Sequence, residues 1–154
     1  MDFASYITGF VDGEGCFSIS FSLRDKLKLK IEVRPSFSIS QHKRNLEILK
    51  KINEFFGCGG IRFSNRDQNY KYEVRSLNEL IHKIIPHFEK YSLKTSKSRD
   101  FMAFTKICHL VFQMKHLNAK HLRDIIILAN TMNESGKRKY QAAKLLSILD
   151  KMKV

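Results

Sequence analysis

The hydrophobic period changes abruptly between residues 11 and 17, and that change fixes how the fold must begin. Phe3, Ile7, Phe10 and Val11 fall at helical spacing, with Gly9 and Gly13 four apart. From Gly15 onward Phe17, Ile19 and Phe21 alternate with Cys16, Ser18 and Ser20, the rhythm of a half-buried strand. The pattern predicts a helix over 3–12 and a strand over 15–24, joined through Asp12, Gly13, Glu14 and Gly15. Two carboxylates thus stand at the C-terminal end of a helix, where the peptide dipoles disfavour negative charge. They demand a compensating cation. A calcium loop opening at Asp12 fails as the explanation. Its fifth, sixth and twelfth positions hold Cys16, Phe17 and Leu23, where Asp or Asn, Gly and Glu are needed.

A second strand is predicted over 28–40. Leu29, Ile31, Val33, Phe37 and Ile39 share one parity and form its core face. Pro35 sits on that parity and removes a ladder donor, which predicts a bend. An amphipathic helix follows over 44–56, with Leu46, Leu49, Ile52 and Phe56 inward, and GCGG at 57–60 stops it. Residues 61–64 and 70–75 read as a hairpin, and 77–85 as a helix closed near Pro86. The order over 3–85 is α-β-β-α-β-β-α. Three further helices are predicted over 97–114, 118–132 and 139–152, with Phe101, Phe104, Ile107 and Leu110 as core and a basic break at 133–140. The expectation is one α+β domain over 1–154, with a core over about 3–90 and a helical part over about 91–154.

The chain carries 28 Lys and Arg against 15 Asp and Glu, a net charge of +13. That excess calls for a polyanion, nucleic acid first and an anionic membrane surface second. No apolar run is long enough to span a bilayer. Asp2 stands where a signal peptide would be basic, so no leader is expected. Cys16, Cys58 and Cys108 are odd in number and lack metal spacing, which points to a reducing compartment. His42, His82, His87, His109, His116 and His121 are scattered and read as surface or phosphate-side residues.

An antiparallel sheet often keeps one face wet. Here that face is dense in cations, with short hydrogen-bonding residues between them. The first strand offers Ser20, Ser22 and Arg24. The second offers Lys28, Lys30, Glu32, Arg34, Ser36 and Ser38. The hairpin offers Arg62, Ser64, Arg66, Lys71, Glu73 and Arg75. A curved ribbon of this kind fits the DNA major groove, where Arg and Lys read guanine. Lys137, Arg138 and Lys139, in the basic break, read as phosphate contacts.

Three stretches, in order, carry a family resemblance. ITGFVDGEG at 7–15 resembles the motif of the LAGLIDADG homing endonucleases in its single-motif form. YSLKTSK at 91–97, before RDFMAFTKI, is similar to the family's Leu-x-Thr-x-Lys segment, and MNESGKRK at 132–139 is similar to a later basic element. The α-β-β-α-β-β-α order matches the family core. The resemblance implies a site-specific endonuclease that cuts double-stranded DNA at a long pseudo-palindrome, using a divalent metal such as Mg²⁺. With one motif per chain it implies a homodimer, packed through Ile7, Thr8, Gly9, Phe10, Asp12 and Gly13. Glu14 takes the place of the metal-binding acid, with the Gly13 carbonyl as a second ligand, and Asp12 takes the place of an acid that orients the helix end. Gln41 matches a residue that orients active-site water, and Lys97 a basic residue near the scissile phosphate. The family often has a basic residue four positions after that Gln. Asn45 stands there, beside Arg44, which leaves that role unassigned. Two other readings sit on the same fold: an RNA maturase acting on host intron RNA, and a DNA-binding regulator that does not cleave. The implied setting is intracellular, in an organelle or a prokaryotic cytoplasm.

Overall fold

The computed structural model describes residues 2–133 and 138–152. Helix α1 (Phe3–Glu14) runs into strand β1 (Gly15–Leu23), and β2 (Ile31–His42) follows. A 3-10 turn (Lys43–Asn45), α2 (Leu46–Phe56), β3 (Gly60–Ser64) and β4 (Asn69–Val74) come next. Helix α3 (Leu77–Glu79), a π-helical turn (Leu80–Ile84) and α4 (Ile85–Lys90) abut one another. Then come α5 (Lys97–Phe112), α6 (Ala119–Asn130) and α7 (Ala142–Lys151). The strands form one sheet in the order β1-β2-β4-β3, and β4 pairs antiparallel with both β2 and β3. This is the α+β order expected from the pattern.

Local chemistry accounts for the elements around the junction. Asp2 caps α1: its carboxylate accepts from the Ala4 N–H at 3.1 Å and from the Ser5 hydroxyl at 2.7 Å. Gly15 turns the chain from helix to strand because no side chain fits there. A Cβ would lie 2.6 Å from Val11 Cγ1. Gly59 enters β3 at φ +83°, and a Cβ there would lie 2.7 Å from the Glu73 carbonyl oxygen.

Two predicted boundaries move. Strand β2 begins at Ile31 rather than 28, so Lys28 and Lys30 belong to the loop after β1. Lys30 has φ 65°, and its ammonium donates to the Asp25 carbonyl at 2.8 Å. Nor does Pro86 end a helix; the helical path continues to Lys90. Pro86 has no N–H to give, and its ring crowds the carbonyl four residues back in a regular helix. The wider turn just before it, where the Ile85 N–H reaches back to the Leu80 carbonyl, lets the chain pass.

The chain forms two compact units, residues 1–17 with 36–98 and residues 18–35 with 99–154, so it changes unit inside β1, inside β2 and early in α5. The first unit's core holds Ile7, Val11, Phe17, Phe37, Ile39, Leu49, Ile52, Tyr72, Val74, Leu80 and Ile84, all fully buried. Phe88 packs edge-on to Phe17 at 5.4 Å and tilted on Phe37 at 5.6 Å. The second unit buries Leu29, Ile31, Phe104, Ile107, Cys108, Leu122, Ile125 and Leu145. Among the described residues no helix is long and apolar enough to cross a membrane.

Candidate active site

Glu14 is the last residue of α1, and its side chain is exposed. The end of β2 brings Gln41 to it: the amide Nε2 donates to Glu14 Oε2 at 3.1 Å and to the Ser40 carbonyl at 3.0 Å. Asn45 Nδ2 in turn donates to Gln41 Oε1 at 3.1 Å. Lys97 opens α5, and its ammonium donates to the Gly15 carbonyl, one residue beyond Glu14. The fold thus assembles Glu14, Gln41 and Lys97, spread over 83 positions of sequence, at one end of α1.

Asp12 has a different role from Glu14. Its two oxygens accept from the Lys94 N–H at 2.8 Å, the Thr95 N–H at 3.1 Å and the Thr95 hydroxyl at 2.8 Å. Burial alone would raise this carboxyl. The bonds from Lys94 and Thr95, with the charge of Lys97, outweigh burial and hold it below the usual carboxylate range. Thr95 Oγ1 also accepts from the Lys97 N–H at 3.2 Å. Asp12 therefore ties the segment that carries Lys97 to the end of α1. The bonds that Thr95 and Asn45 make here are not foreseeable from the sequence. The first residue is visible only as the Thr of the KTSK stretch, and the second only by its spacing.

The expected helix contact face changes. Ile7 and Thr8 are buried in the chain's own interior and Asp12 is bonded to Lys94 and Thr95, so these three are not free to meet another helix. Gly9, Phe10 and Gly13 lie on the open side of α1, beside Tyr6. A Cβ built at Gly9 or Gly13 meets nothing within 4 Å. The chain's own packing requires neither glycine, although each costs a helix interior roughly 0.5–1 kcal/mol relative to Ala.

The basic residues fall in both units. In the first, Arg62 pairs with Glu73 at 2.9 Å and Lys71 stands 3.7 Å from the same carboxylate. Ser36 is half-buried, Ser64 and Arg75 are exposed, and Arg66 is exposed in the turn between β3 and β4. Ser38 is covered, at 7% exposure, and cannot reach a ligand as first expected. In the second unit, Glu32 holds Arg24 at 2.8 Å and Arg34 at 3.3 Å, while the Ser20 hydroxyl donates to the Arg34 carbonyl and Ser22 is half-buried nearby in β1. These exposed pairs add about 0–1 kcal/mol each and serve more to orient the arginines.

Arg138 donates through Nη2 to the Asn130 carbonyl at 3.0 Å and to the Met132 carbonyl, so it caps the end of α6 and keeps its remaining N–H donors. Lys139 is exposed, with its ammonium 5.4 Å from the Tyr140 ring centroid. Lys137 lies outside the described residues.

The sequence and fold have known counterparts. A profile of the LAGLIDADG endonuclease family matches residues 7–108. The probable intron-encoded endonuclease 2 of Neurospora crassa is 32% identical over 123 residues, which cover 79% of this chain and 27% of that protein. The chain spans about a quarter of the length of such curated relatives. An archaeal intron-encoded homing endonuclease, I-Vdi141I, solved in complex with DNA, superposes with TM-score 0.88 at 33% identity, covering 97% of this chain and 95% of that one. I-SmaMI, solved on an uncleaved DNA target in the presence of calcium ions, superposes with TM-score 0.86 at 30% identity over 96% of this chain and 48% of its own. The motif at 7–15, the fold and the profile match over 7–108 together place this chain in the LAGLIDADG endonuclease family.

Proposed function

We propose that the protein is a site-specific endonuclease for double-stranded DNA that works as a homodimer with a divalent metal, Mg²⁺ by preference. One observation carries this reading. A single exposed carboxylate, Glu14, ends a helix whose open face is lined by two glycines that the chain itself does not require. A second copy packed on that face brings a second Glu14 to the same place. Two copies also bring a charge of +26, from 13 each, to the DNA.

The residues present suit a hard cation. Glu14 keeps one oxygen beyond the Gln41 bond, and the Gly13 carbonyl lies in the last helical turn, where carbonyls lack intrahelical donors. Mg²⁺ keeps several waters and takes few protein ligands, so a carboxylate and a carbonyl from each of two chains suffice. When bound, a divalent ion supplies positive charge at the scissile phosphate and makes a nearby water more acidic. Gln41 holds the Glu14 carboxylate in place. Lys97 gives one of its three N–H donors to the Gly15 carbonyl and keeps the others for a phosphate oxygen. Arg24, Arg34, Arg62, Lys71 and Arg75 are the residues assigned to the groove and backbone of the DNA. The setting is an organelle or a prokaryotic cytoplasm where intron-bearing genes reside.

The test is a plasmid library with randomised inserts, incubated with protein and Mg²⁺, from which cleaved sites are recovered. Wild type is expected to yield linear products at a defined sequence. Glu14→Gln should bind that sequence and leave it intact. Cleavage by Glu14→Gln at the wild-type rate removes Glu14 from the chemistry.

A further inference from the structure

We propose that Asn45 is a positioning residue that fixes the orientation of the Gln41 side chain against Glu14; the inference deepens the nuclease reading above and rests on it. The Gln41 amide has three neighbours in hydrogen-bond range. Two of them, the Glu14 carboxylate and the Ser40 carbonyl, can only accept, and both face Nε2, at 3.1 Å and 3.0 Å. The remaining amide atom, Oε1, needs a donor, and Asn45 Nδ2 supplies it at 3.1 Å. Turned over, the amide would set Oε1 against two acceptors and Nε2 against a donor.

The backbone leaves the Asn45 side chain available for this: Asn45 ends the 3-10 turn before α2, with φ −108° and ψ 22°, and makes no side-chain capping bond. Asn is among the best residues for that task because its oxygen accepts from the second or third N–H of the helix. Here the side chain serves Gln41 instead. Asn45 thus fills, by donating to an amide oxygen, the position that sequence comparison left unassigned.

Asn45→Asp separates positioning from structure. Asn45 makes no capping bond that Asp would lose, and a negative charge suits a helix N-terminus, so stability should hold or rise. Its carboxylate cannot donate, so it repels Oε1 and pulls Nε2 away from Glu14. On a plasmid bearing a site selected by the wild type, Asn45→Asp should lower kcat by about 10²-fold, the cost of a misplaced group near the chemistry, with KM changed less than about threefold. Asn45→Lys, which keeps a donor, should lose at least about tenfold less than Asn45→Asp. In a Gln41→Ala background, Asn45→Asp should add less than about threefold.

A metal-free readout accompanies these rates. The side-chain amide resonances of Gln41 should move when Glu14 is changed to Gln, and Asn45→Asp should move them as well. An Asn45→Asp enzyme within about threefold of wild type overturns the inference, as does a full loss that persists without Gln41. Unmoved Gln41 resonances in Asn45→Asp overturn it too. If the wild type selects no site, the nuclease reading fails instead, and the resonances alone decide the role of Asn45.

Discussion

His87 predicts how stability depends on pH. It lies in α4 at 8% exposure, ringed by Phe55, Phe56, Phe88 and Tyr91 with centroids 4.7–5.6 Å away. Its Nε2 stands 3.1 Å from the hydroxyl of Thr8, on the helix that ends in Glu14. That hydroxyl donates its only proton to the Tyr91 carbonyl at 3.0 Å, so it must accept from His87, which is neutral with the proton on Nε2. Burial pushes the imidazole down to about 4, and the charge of Asp2 offsets only part of this. In the unfolded chain a histidine titrates near 6.5. Between those values the unfolded state binds the extra proton, so stability falls as pH falls. The contribution is complete above pH 6.5 and is lost as pH drops toward 4. At about 1.4 kcal/mol per pH unit, moving from pH 7 to pH 5 should cost at most about 2 kcal/mol, or roughly 4–8 °C in Tm. Urea unfolding at both pH values checks this on wild type and on His87→Phe, which suits the aromatic ring cluster and leaves the Thr8 bond to Tyr91. The substituted protein should lose about 2 kcal/mol less than wild type between pH 7 and pH 5. Equal losses in the two proteins would mean that His87 titrates alike in the folded and unfolded chains.

Other substitutions probe the local devices. Asp12→Ala frees the Lys94 and Thr95 N–H groups and should cost on the order of 1.5–3 kcal/mol in urea unfolding, with a matching loss of Lys97-dependent cleavage. A change below about 0.5 kcal/mol would mean that the segment before α5 holds itself. Gly59→Ala meets both a left-handed backbone and the Glu73 carbonyl, and should cost about 2–4 kcal/mol by the same assay. A neutral result would contradict the close approach of Gly59 to β4.

What was legible in the sequence was what periodicity encodes. The switch of period at Gly15 placed α1 and β1, and the alternation from Ile31 to Ile39 placed the core face of β2. The same alternation misled at Lys28 and Lys30, where a turn happens to keep the strand rhythm. Pro86 misled for the opposite reason: its usual effect on a helix is absorbed by a π-helical turn that leaves no mark in composition. His87 was grouped with surface histidines, although Ile84, Ile85 and Phe88 around it carry the signal of a buried face. The motif residues Glu14, Gln41 and Lys97 were legible through their resemblance to a family pattern. Their supports were not. Asn45 and Thr95 act through individual hydrogen bonds, which have no period and depend on how distant segments meet.

In the proposed dimer, two copies meet across Gly9 and Gly13 to complete one nuclease centre. Sedimentation of wild type and Gly9→Leu, free and on a duplex carrying a selected site, tests this pairing most directly. Space around Gly9 within the chain is open, so Leu there should leave the monomer folded, while a second helix on that face would be overpacked by about 1–3 kcal/mol or more. Two wild-type chains per duplex are expected, with a folded Gly9→Leu monomer that forms no such complex. One wild-type chain cutting both strands, or a Gly9→Leu protein that still binds as a pair, would contradict the pairing.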